Sequence, residues 1–190
     1  MPRRSYNIPG HAHLLTFSCF HKHQFLTDDK VRRHLADSID LTRRLENFTL
    51  WAYVLMPDHV HLLVHPGSDV YSIPRILNRI KSPVAHHFVH EWKETAQQRL
   101  RLMLARQGKR VVHRLWQAGG GHDRNLTDWD AIANAMDYIE WNPVRLGLVA
   151  EPTDWTWSSA RSRAGHSDVP LVIDIVAEAA RLIDTELCKP

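Results

Sequence analysis

Apolar and polar positions along the chain follow several different periods. "HAHLLTFSCF", residues 11–20, is rich in β-formers and predicts a strand. "DDKVRRHLADSIDLTRRLEN" then places Val31, Leu35, Ile39 and Leu45 at helical intervals behind Asp28 and Asp29, which predicts a helix. "FTLWAYVLM" (48–56) and "HVHLLVH" (59–65) flank the turn pair Pro57-Asp58, so residues 48–65 read as an antiparallel hairpin. From Ile73 to Trp92 the pattern is helical, with a break expected near Pro83. The glycine cluster in "GGGHD" is expected to be a mobile loop. "LTDWDAIANAMDYIEW" predicts a helix capped by Thr127 or Asp128, with Ile132, Met136 and Ile139 on its apolar face and an end at Pro143. "WTWSSA" alternates briefly as a short strand, and "DIVAEAARLID" reads as a terminal amphipathic helix. The order β-α-β-β-α with a hairpin implies an α+β fold, a compact antiparallel β-sheet flanked by α-helices. We expect one domain over residues 1–160 and a helical extension over 161–190.

Composition narrows the class. With 190 residues, 44% apolar and 24% charged, the chain matches an ordinary globular protein able to bury a core. No segment approaches the ~20 apolar residues of a membrane helix, and "MPRRSYNIPGH" lacks the apolar stretch of a signal peptide. Cys19 and Cys188 are too few and too distant for a disulfide framework, so a cytoplasmic location, with no membrane partner, is expected. The net charge of +3 is unevenly spread. Residues 95–122 carry Arg99, Arg101, Arg106, Lys109, Arg110 and Arg114 and no acid, leaving 18 basic against 21 acidic residues elsewhere. Such a block suits a polyanion, or equally a solvated face.

Within the hairpin, His59 and His61 share one face of a strand while Val60 and Leu62 share the other. Two imidazoles so placed make half a site for a divalent metal. Spacing alone does not separate this pair from His11/His13 and His21/His23, or from His86 and His90 one helical turn apart. A second constellation does: "DYIEWNPVRLGLV" sets Tyr138 and Asn142 four apart on one helix face. A tyrosine there is either a packing residue or, beside a metal that holds a phosphate, a covalent nucleophile. A free phenol, with pKa near ~10, needs help at neutral pH, which a cation on the phosphate supplies as a Lewis acid. An amide oxygen from Asn142 suits a hard cation.

"MPDHVHLLV", "YIEWNPVRLGLV" and "DWTWSS", in that order, resemble the REP-associated tyrosine transposases, a branch of the single-tyrosine HUH nucleases, over residues 5–160. The resemblance implies that His59 and His61 bind the metal, Mg²⁺ or Mn²⁺, that Asn142 completes its ligands and that Tyr138 is the nucleophile. It also implies cleavage and rejoining of single-stranded DNA near hairpins, as in REP-like palindromes, through a 5′-phosphotyrosine and a free 3′-hydroxyl. "AGGGHDRN" and the long basic block depart from many relatives, which puts DNA preference in doubt more than chemistry. The other tyrosines fit the role less well: Tyr6 lies in the leader, Tyr71 follows a "PGSD" turn, and Tyr53 sits in a strand where packing is expected.

A basic groove with aromatic platforms would bind single strands. Its candidates are the six basic residues Arg99 to Arg114 with Trp116, and Arg3 and Arg4 at the start. Trp155 and Trp157 are expected to pack in the core rather than stack on bases. Two alternatives remain open. One is a domesticated hairpin-binding protein that no longer cuts; the other is a metallohydrolase using an activated water, which leaves Tyr138 unexplained. A monomer is expected in preference to a homodimer.

Overall fold

The first strand, β1 (Ala12–Ser18), is followed by α1 (Asp29–Leu45), whose N-cap Asp28 accepts a hydrogen bond from the Lys30 amide. These belong to a computed structural model that describes residues 7–119 and 121–174. The hairpin partners are β2 (Phe48–Leu55) and β3 (His59–Pro66). Next come α2 (Ile73–Thr95), α3 (Gln97–Leu102), β4 (Leu104–Gln107), β5 (Arg110–His113) and β6 (His122–Leu126). The described chain finishes with α4 (Trp129–Glu140), α5 (Asn142–Arg145) and α6 (Ser159–Arg163).

The main sheet has the order β2-β3-β1-β6, every pair antiparallel, and β4 and β5 form a separate two-stranded hairpin. This is the expected α+β architecture. Helices cover both faces, which is why β2 and β3 read as nearly unbroken apolar runs. Leu15, Phe17, Val60 and Leu62 belong to the core under α1 and α2. Ala12, Val54 and Leu63 belong to a second core with Ile132, Met136 and Ile139 of α4. A register shift between Leu50 and Ala52 turns both Trp51 and Ala52 toward α4.

Four expectations change. Pro83 does not break α2, which runs unbroken from Ile73 to Thr95. A proline inside a helix leaves the carbonyl four residues earlier without its donor. Here Ser38 of α1 supplies one: its hydroxyl lies 3.4 Å from the Arg79 carbonyl and 2.9 Å from that of Ile80.

The last glycine of the cluster is not free: Gly121 leads directly into a strand. Gly121 has φ +82° and lies so close to β1 that a Cβ would collide with the Thr16 carbonyl. β6 then pairs with β1, and its Asp123 accepts a bond from the fully buried His13 at 2.8 Å.

Pro143 does not send the chain out of helical geometry. α4 stops at Glu140, two residues before the expected ligand, and Pro143 sits in the first turn of α5, where its missing N–H costs nothing. "WTWSSA" forms no strand, only an isolated bridge between Ser158 and Val54. Trp157 is buried, and the Arg32 guanidinium lies 5.0 Å from the Trp155 ring and 5.6 Å from that of Trp157, so both tryptophans serve packing.

The expected terminal helix over 174–184 falls almost wholly outside the described residues, as do Arg3, Arg4, Tyr6 and Cys188. Among the described residues, no helix is long and apolar enough to cross a membrane.

Candidate active site

Register places the histidines. His61 of β3 lies opposite Thr16 of β1, and His59 opposite Ser18, all on the sheet face that α4 covers. The two imidazole rings stand nearly perpendicular, with centroids 4.9 Å apart. Tyr138, on the last turn of α4, brings its ring to 5.2 Å from that of His61. Asn142, buried at the start of α5, puts its amide nitrogen 3.5 Å from His61 Nε2. Four residues from two distant stretches of sequence therefore meet at one point.

His61 Nδ1 lies 2.8 Å from Thr16 Oγ1, and its Nε2 lies 3.5 Å from the Asn142 amide. The tautomer with the proton on Nδ1, donated to Thr16, leaves Nε2 its lone pair. Burial, with the neighbouring His59 charge second, pushes the His61 pKa down to about 3. His61 is thus a neutral imidazole across the physiological range. His59 Nδ1 donates to the Asp58 carboxylate at 2.6 Å, which leaves its Nε2 available as well. A carboxylate or hydroxyl on the far nitrogen is the arrangement that orients metal-ligating histidines.

The donor set fits a divalent cation. Among the described residues no group of three or more His, Cys, Asp and Glu could hold a metal, so the histidine pair needs an amide oxygen or water to complete a site. Rotating the Asn142 amide by half a turn exchanges its nitrogen for an oxygen facing the pair. One of the rival pairs, His11/His13, is otherwise engaged: His13 is enclosed between Asp123 and the Tyr71 hydroxyl, both at 2.8 Å, and His11 meets the Asn125 amide at 3.0 Å.

Tyr138 is 40% exposed. It opens onto a cleft of about 710 Å³ between β6 and α4, lined also by His61, Thr16, His122, Arg124 and Asn134. Sequence reasoning missed Thr16, His122 and Arg124, because only cross-strand pairing puts them in that row. Asp58 was visible as a turn residue but carried no sign of its second role.

α4 is fixed by a buried polar knot. Glu140 accepts from the Ser159 hydroxyl at 2.7 Å and from Arg163 Nε at 3.0 Å, and Ser159 also accepts from the Tyr53 amide. The second serine of "DWTWSS", Ser159, therefore ties the tyrosine helix to β2.

The basic block lies on the other side of the sheet, anchored through Leu100 and Met103 to the core under α1 and α2. Arg101 is exposed on α3, and Arg106, Lys109 and Arg110 are exposed on the β4–β5 hairpin. Arg99 is engaged, pairing with Asp28 at 2.6 Å and lying 5.2 Å from the Trp92 ring, while Arg114 is 3.3 Å from the Gln107 side-chain oxygen. Trp116 is not an exposed platform. It is buried against Phe17, and its indole N–H donates to the Lys81 carbonyl.

A helix-covered antiparallel sheet thus carries a histidine pair facing an exposed tyrosine across the end of α4. The chain belongs to the IS200-like transposases: residues 9–105, just over half of it and including His59 and His61, match that family's model. It is 27% identical over 140 residues to a Haemophilus influenzae protein named as a REP-associated tyrosine transposase, covering 69% of this chain and 73% of that one. A solved structure of a REP-associated tyrosine transposase bound to a REP hairpin has the same fold, with a TM-score of 0.63, 23% identity and 86% of each chain covered.

Proposed function

We propose that this transposase cuts and rejoins single-stranded DNA beside a hairpin, with Tyr138 as nucleophile and a divalent cation, Mg²⁺ or Mn²⁺, held by His59, His61 and Asn142. The observation that carries the reading is the 5.2 Å approach of the exposed Tyr138 ring to His61, with Asn142 completing the cluster from the next helical segment. The bound cation would polarise the scissile phosphate as a Lewis acid. The protein's own residues do the rest. Tyr138 Oη attacks phosphorus, the bond to the 3′ oxygen breaks, and the DNA 5′ end remains on the tyrosine as a phosphodiester. Because that ester keeps the energy of the original linkage, a 3′-hydroxyl can attack it in turn and restore a continuous strand without a nucleotide cofactor. Thr16 and Asp58 keep His61 and His59 in the tautomers that leave both Nε2 lone pairs free. The relative solved with a REP hairpin supports a hairpin partner here.

The test is a labelled single-stranded oligonucleotide carrying a palindrome. With Mg²⁺ or Mn²⁺, the wild-type protein should give an SDS-stable adduct whose tryptic peptide contains Tyr138. Tyr138→Phe should bind the same DNA but form no adduct, and excess EDTA should stop cutting. Cleavage by the Phe variant, or an adduct on another tyrosine, would overturn the mechanism.

A further inference from the structure

Arg145 lies in α5, seven residues after Tyr138, and its guanidinium carbon is 5.3 Å from the centroid of the Tyr138 ring. It is exposed, and among the described residues no carboxylate pairs with it. Arg75 and Arg79, by contrast, share the carboxylate of Glu46. The Tyr138 ring is thus in contact with an imidazole of the histidine pair and with a cation that has no anion of its own. A guanidinium resting on an aromatic ring keeps its N–H fork free at the edge, suited to the oxygens of a phosphate.

We propose that Arg145 is the clamp for the scissile phosphodiester, stacked on the nucleophile's ring and donating to the phosphate's non-bridging oxygens. The proposal rests on the assignment of Tyr138 made above. In the transfer step the Oη–P bond forms, the P–O3′ bond breaks, the phenol proton passes to solvent water, and the departing 3′ oxygen takes a proton from water. Charge on the non-bridging oxygens changes through this step, and preorganised donors aimed there act on the rate more than on binding. The same guanidinium would serve the reverse attack by a 3′-hydroxyl, since the phosphate occupies the same place in both directions.

The experiment compares wild type, Arg145→Gln and Arg145→Lys in single-turnover cleavage of a hairpin-bearing oligonucleotide with Mn²⁺. Affinity is measured separately in the Tyr138→Phe background, which keeps the ring beneath the guanidinium. Arg145→Gln should slow cleavage at saturating DNA by about thirtyfold or more, with affinity changed by less than about threefold, and Arg145→Lys should recover part of the rate. A second substrate carries a methylphosphonate at the scissile position. It should slow wild type much more than Arg145→Gln, because the variant has no partner left to lose. Wild-type cutting by Arg145→Gln, a loss wholly explained by weaker binding, or equal methylphosphonate effects in both proteins would overturn the clamp. If Tyr138→Phe itself still cuts, the underlying assignment fails instead.

Discussion

Asp58 shows how much a single residue can do beyond its local signal. In the sequence it is half of a Pro-Asp turn; in the fold its carboxylate takes the Nδ1–H of His59 at 2.6 Å and lies 3.5 Å from Lys22 Nζ. Removing it leaves His59 free to change tautomer and ring orientation. Asp58→Ala should weaken Mn²⁺ binding by about 10–100-fold, measured by calorimetry on the folded protein, without changing the affinity for DNA. Unchanged Mn²⁺ affinity would mean that His59 is held by packing alone. The shared face of His59 and His61 was legible from strand alternation, and Tyr138 and Asn142 from helical spacing. Thr16 was not, because nothing in β1 alone says which residue will stand opposite His61.

At the scale of elements, α4 was readable because its apolar face and its Asp128 cap agree: the carboxylate accepts from the Ala131 amide at 2.8 Å. β6 was not. "HDRNL" has no apolar alternation, and it is a strand because Gly121 allows a close approach and His13 holds Asp123 across the pair. α2 hid its continuity for a similar reason, since the group that compensates for Pro83 belongs to another helix. Ser38→Ala should therefore cost about 1–2 kcal/mol in urea unfolding, because the carbonyl orphaned by the proline loses its share of that hydroxyl. In a Pro83→Ala background the same change should cost clearly less, the backbone amide having been restored. Equal costs in both backgrounds would show that Ser38 acts independently of the proline.

At the scale of the whole molecule, the two sides of the sheet carry different tasks. One holds the histidines and the tyrosine helix; the other supports a basic hairpin whose Arg106, Lys109 and Arg110 have no carboxylate partner among the described residues. Sequence located that charge but could not place it in space, since the hairpin's position depends on the burial of Leu100 and Met103 under α2. If the hairpin follows a DNA backbone, replacing all three by Gln should reduce the slope of log affinity against log salt by about two, at ~0.7 per lost single-strand phosphate contact. Cleavage at saturating DNA should stay near wild type. An unchanged slope would assign the hairpin to solvent instead.

His61 and Asn142 are 81 residues apart in the chain yet 3.5 Å apart in space. α4, through its seat on the sheet, is what joins the two halves of the site. On the proposed mechanism, the site cannot assemble until the second half of the sequence has been made, and it comes apart as soon as α4 lifts away. The layering that stabilises the fold would then also act as a safety catch: partial unfolding would disarm the site before it could loosen its aim.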